Sequence, residues 1–209
     1  MIDRRSVFAV ICLLTALAAA QTGVAGSQNA ERDEVGIMPC PTHRTDPADQ
    51  PAPVRSHLMC HYRIRLLPVA SFPQLPSAVA NQLDARGCMI PQTYEANGPE
   101  NVITGSFQKP GSDDWAALCS VRGVTTLLVF FQSDFSHPIA LRHQLDNQWL
   151  GVELSFAYGS AWGILAVPPR AVPRTYQMNH DGIEDAFVEQ SSVIHYYSHG
   201  HWTTLEGDD

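Results

Sequence analysis

The chain has 209 residues, a formal net charge of −8 and one lysine, Lys109. So little positive charge leaves few partners for a phosphate backbone, which excludes nucleic acid as an expected ligand. With 44% hydrophobic residues the chain can build one domain with a genuine core.

The predicted elements begin with an export signal. Arg4 and Arg5 precede the apolar run Val7–Ala20, and the small residues Ala18 and Ala20 fit a cleavage site. Residues 1–20 are therefore read as a signal peptide, which makes the protein secreted or periplasmic. No later run is long and apolar enough to span a bilayer. Residues 21–56 are rich in Pro, Asp, Thr and Gln and read as a flexible lead-in. Residues 57–209 read as a single disulfide-stapled β-rich domain.

"HYRIRLLPV" (61–69) alternates at first and reads as an edge strand ended by Pro68. "LPSAVANQLDARGC" (75–88) is the one helix. Pro76 suits its first turn, Val79 and Leu83 share a face, and Gly87 stops it. From residue 100 onward "NVITGSF", "DWAALCSV", "TTLLVFFQ", "GVELSFAY", "AWGILAVP", "EDAFVEQ", "SVIHYYS" and "HWTTLE" are short, β-branched and aromatic. "YGS" and "SHG" read as hairpin tips. No helical crossover separates these strands, so the expected fold is mainly β, an α+β arrangement of antiparallel hairpin sheets with one short N-terminal helix.

Outside the signal the cysteines are Cys40, Cys60, Cys88 and Cys119. An even count in an exported chain predicts two disulfides with three pairings open. Pairing sequence neighbours, Cys40–Cys60 and Cys88–Cys119, is the preferred arrangement.

Two stretches echo one another. "FQKPGSDDWAALCS" (107–120) and "MNHDGIEDAFVEQS" (178–191) align without gaps, with Gly111 on Gly182 and Asp114 on Asp185. Each leads into an apolar strand. The pattern resembles the blade motif of FG-GAP or VCBS-type β-propeller repeats, whose acidic loop often binds calcium. That resemblance implies a cation site at Asn179, Asp181 and Asp185, although Gln177 replaces the first acidic residue and only Asp114 survives in the first copy. More broadly, "RGCMIPQTY", "PENVITGSFQKPGSDDWAALCS" and "DGIEDAFVEQSSVIHYY" look like segments of exported bacterial proteins of unassigned function. That likeness carries over no activity.

The alternative to calcium is a turn closed by Asx-type hydrogen bonds, because calcium wants six to eight oxygens and this loop offers two carboxylates. His195, His199 and His201 form a second candidate cluster, for zinc, against a hairpin tip with solvated histidines. Past Arg174 there is no Lys or Arg while seven carboxylates follow, a solvated face or an attraction for cations. No nucleophile motif surrounds Ser160, and His143 with Asp146 would need a distant third partner to form a triad. The leading expectation is an exported, non-enzymatic binding domain with a protein or carbohydrate partner and no obligate cofactor. The competing one is a secreted metal-dependent hydrolase using Asp181, Asp185 and the three histidines.

Overall fold

The computed structural model describes residues 30–39, 59–152 and 158–207. The expected signal peptide, Cys40, Glu153 and most of the expected lead-in lie outside them.

The first strands are β1 (Arg32–Pro39) and β2 (Met59–Pro68), followed by helix α1 (Ser77–Arg86) and β3 (Met89–Pro91). A hairpin-rich run follows: β4 (Val102–Gly105), β5 (Asp114–Val121), β6 (Val124–Phe131) and β7 (Asp134–Leu145). Next come β8 (Leu150–Val152) and β9 (Tyr158–Ser160). The last four strands are β10 (Trp162–Val167), β11 (Gly182–Phe187), β12 (Ser191–Ser198) and β13 (His201–Glu206). The protein is mainly β, as composition and turn spacing predict.

Two sheets result. The larger has nine strands in the order β7-β6-β5-β3-β2-β9-β8, with β1 on β2 and β4 on β5; the smaller is the meander β10-β11-β12-β13. All pairings are antiparallel except the single contact Tyr62 to Tyr158 between β2 and β9. The two echoing stretches occupy equivalent places. β4-β5-β6-β7 is itself a four-stranded meander, and Asp114 and Asp185 lie on the second strand of their respective meanders. The glycines differ, however: Gly111 turns with φ +77°, whereas Gly182 opens β11 in extended backbone.

Layering explains the sequence pattern. β5 is buried on both faces, so it reads as an unbroken apolar run without alternation. Trp115, Ala117 and Cys119 face Val79 and Leu83 of α1 in one core cluster. Ala116 and Leu118 face Trp162, Ile164 and Ile183 of the small sheet in another. The helix ends as expected, with Gly87 in the left-handed region and its N–H bonded to Asp84 and Leu83 carbonyls. Cys88, just after it, is bonded to Cys119 and staples the helix end to β5. Cys60 is also disulfide-bonded.

Three expectations change, and one strand is added. Part of the lead-in is a strand, β1, which pairs with β2 along its whole length. β2 is consequently an interior strand, with β1 on one side and β3 and β9 on the other. "YGS" is strand β9 rather than a tip: Gly159 pairs with Gly151 of β8, and Tyr94 fills the space two Cβ atoms would need, its ring at Gly151 and its own Cβ at Gly159. β7 carries few strand signals because Pro138 falls where its register with β6 breaks, an edge-strand bulge that tolerates proline. "SHG" does make a tip: His199 and Gly200 have φ of 52° and 84°, a type I′ turn between Ser198 and His201.

Candidate functional site

The loop 177–185 distributes its polar side chains instead of gathering them. Asp181 reaches β4's end, where its Oδ2 accepts the Ser106 N–H at 2.9 Å while its own N–H donates to the Ser106 carbonyl at 3.2 Å. Gly105 allows this approach, since an added Cβ would lie 3.1 Å from Asp181 Oδ2 and 2.7 Å from the Phe107 ring. Asn179 turns the other way: its N–H donates to the Tyr196 hydroxyl at 3.1 Å, and that hydroxyl donates back to Asn179 Oδ1 at 3.2 Å.

Asp185 is buried between the sheets, with its side chain at 0% exposure. Its Oδ1 accepts from Trp162 Nε1 at 2.7 Å, and its Oδ2 accepts from Arg142 Nη1 at 3.2 Å and His195 Nε2 at 3.0 Å. Arg142 comes from β7 of the large sheet and also lies over the Trp149 ring at 4.0 Å. The carboxylate thus joins one strand of the large sheet to three of the small one. Burial pushes its pKa up, but the His195 hydrogen bond and the Arg142 charge outweigh this and hold it below the ordinary value. Its counterpart Asp114 is equally buried and accepts from the Gln108 and Gln132 N–H groups, both at 2.7 Å, and from the Ser112 hydroxyl at 2.5 Å. It ties the 106–113 turn to the β6–β7 turn.

Of the three candidate zinc histidines, His195 is committed to Asp185, while His199 and His201 stand exposed at the β12–β13 tip. Among the described residues no three His, Cys, Asp or Glu side chains are grouped to hold a metal ion. His143 is exposed on β7. Asp146 is buried and accepts hydrogen bonds from the Ser120 and Thr125 hydroxyls, so these two do not meet as parts of a triad. Ser160 is buried, and its oxygen accepts from the Trp162 N–H at 3.4 Å.

What the two echoing turns do together is line a cleft of about 510 Å³. Gln108 and Lys109 come from the first turn, Tyr176, Asn179 and His180 from the second, and Tyr196 with His199 from β12 and its tip. The turns meet because β4 and β10 run side by side. Asn101, buried with φ 67°, bridges them: its Nδ2 donates to the carbonyls of Pro91 at 2.8 Å and Trp162 at 3.1 Å, and its Oδ1 accepts the Ile164 N–H at 3.0 Å. Part of the cleft wall is aromatic, with the buried His180 and Tyr196 rings stacked at 4.6 Å. Asn179 and Lys109 are exposed and offer donors and acceptors at the rim. Sequence patterns singled out Asn179 and the histidines but had no signal for Asn101 or the cleft, which depend on side-by-side strands far apart in the chain. No helix among the described residues is long and apolar enough to cross a membrane.

No protein-family model, no curated protein and no solved structure matches the chain.

Proposed function

We propose that this is an exported, non-enzymatic binding domain whose ligand, a carbohydrate, occupies the cleft between the two echoing turns. The observation that carries the reading is the lining itself: tyrosine and histidine rings, side-chain amides and one lysine around a concavity of about 510 Å³. Sites for small ligands fall in this size range and combine flat aromatic faces with a few placed polar groups. A sugar offers C–H faces to such rings and hydroxyls to such amides. Export and two disulfides suit a domain that works outside the cytoplasm. The buried carboxylates Asp114 and Asp185 have their oxygens occupied by internal donors, which supports a holding rather than a chemical role.

The reading is tested by screening the mature protein on an array of hexose and aminohexose oligosaccharides, alongside Lys109→Ala and Asn179→Ala. Both side chains are exposed, so the fold should survive. Binding to a glycan subset that drops about tenfold in either variant supports the proposal. Binding indifferent to both variants, or capture of proteins but no glycans, removes it.

A further inference from the structure

A second concavity, remote in sequence from the cleft, lies where the end of α1, the start of β1 and the β5–β6 tip come together. Its volume is about 480 Å³, and its lining includes Arg32, Arg86 and Arg122. The rest of the lining is Asp84, Ala85, Gly87 and Val121, so three positive charges face one negative. In a chain of net charge −8 this is an unusual gathering.

Three other arginines are committed, whereas Arg170 and Arg174, far from this concavity in sequence, make no ion pair among the described residues. Arg63 pairs with Asp33 at 2.9 Å, Arg65 with Glu31 at 2.5 Å and Arg142 with Asp185 at 3.2 Å. Among the described residues Arg32, Arg86 and Arg122 have no carboxylate within ion-pair distance. Arg86 donates Nη1 to the Gln82 carbonyl at 3.0 Å and to its Oε1 at 2.6 Å, which orients the guanidinium and leaves its other N–H groups free. Arg122 is set at the hairpin tip by a type I′ turn, with φ 53° and Gly123 at 80°. Arg32 is positioned by β1, where it faces Leu66 across the ladder. Its charge also acts on Glu34, two residues on, and lowers that carboxyl's pKa, although burial and the Asp146 carboxylate outweigh this and push it up. All three arginines are exposed and Asp84 offsets only one of their charges, so an anion seated among them would be attracted by the excess. A guanidinium presents a planar fork of donors that matches an oxyanion two bonds at a time.

We infer that this concavity is a binding site for a small, multiply charged oxyanion, with Arg32, Arg86 and Arg122 as its ligands. The concavity is roomy enough to admit a phosphate or sulfate group. The shared chemistry is the oxyanion, and phosphate, sulfate and polycarboxylate are its three sources. The helix C-terminus adds a partial negative charge, so recognition falls to the side chains rather than to backbone N–H groups.

The test is calorimetric titration of the mature protein with pyrophosphate, inorganic sulfate and citrate, at ionic strength matched with sodium chloride. At least one is expected to saturate one site, and the tightest of the three identifies the source. Arg122→Gln and Arg86→Gln are each expected to weaken it about tenfold, with unchanged thermal unfolding in the absence of anion. Both side chains lie at the surface, so loss of fold is not anticipated; Lys109→Ala, in the other cleft, should leave the anion affinity unaltered. If all three anions act no differently from chloride, or if both arginine variants bind as the parent does, the inference fails. Neither result depends on what the tyrosine-lined cleft binds.

Discussion

Replacing Asp185 by Asn tests whether a single buried carboxylate holds the two sheets together. Asn is nearly isosteric, so the change removes charge without opening a cavity. Oδ1 is taken by the Trp162 N–H, so an Asn oxygen placed there keeps that bond and turns its NH₂ toward Arg142 and His195. A neutral His195 can accept from that NH₂, but Arg142 then has donors facing a donor. Losing one charge-assisted bond and leaving a half-buried guanidinium without its partner costs about 2–4 kcal/mol. Urea unfolding at pH 7, followed by tryptophan fluorescence, measures this as a lower midpoint with unchanged slope. The loss should depend on pH. The folded-state pKa of Asp185 is below its ordinary value, so its contribution is complete above the unfolded value of about 3.9 and is lost as pH falls through the folded value. The gap between parent and variant should hold from pH 7 to 5 and narrow below 4. A gap under about 0.5 kcal/mol at pH 7 would refute the clamp, since that is the cost of an ordinary surface substitution.

Three other perturbations follow from the same contacts. Asp114→Asn should cost about 2–3 kcal/mol by urea unfolding, and hydrogen exchange should quicken at the Gln108 and Gln132 amides, whose bonds end on that carboxylate. Gly151→Ala should destabilise by about 1–3 kcal/mol in thermal unfolding, because the new methyl would stand 2.2 Å from the Tyr94 ring; Tyr94→Ala in the same chain should recover part of the Gly151 loss. Removing the Cys88–Cys119 bond by paired Cys→Ala should lower stability by about 3–4 kcal/mol, the chain-entropy value for a sequence separation of 31.

Local signals were legible in the sequence where local chemistry decides the structure. Gly87 ended the helix, His199–Gly200 made a hairpin tip, and the β-branched and aromatic runs became strands. The Cys88–Cys119 bond joined the neighbours that spacing suggested. The misreadings arose where a distant partner decides. β1 lies in a Pro- and Asp-rich neighbourhood and is a strand because β2 pairs with it. "YGS" looked like a tip because its glycine was taken for a turn, whereas Gly159 makes room for Tyr94. The acidic loop stood open between a hydrogen-bonded turn and a cation site, since its spacing brings oxygens close in sequence. In the fold Asn179 bonds Tyr196, Asp181 bonds Ser106 and Asp185 bonds Trp162, Arg142 and His195. Alternation would have kept 179, 181 and 185 on one face, but Asn179 and Asp181 lie before β11 begins at Gly182, and the turn there takes them to other partners. The alignment of Asp114 with Asp185 did mark something physical: each is a buried acceptor on the second strand of a four-stranded meander.

Amide chemical-shift mapping on the mature protein, titrated with the oligosaccharides of the array, puts the cleft to the most direct trial. The account expects saturable shifts concentrated at Gln108, Lys109, Tyr176–His180 and the β12–β13 tip, with the strands around Asp185 unmoved. Shifts confined to other surfaces, or no shift at any sugar concentration up to tens of millimolar, on the order of the weakest specific binding, would contradict it.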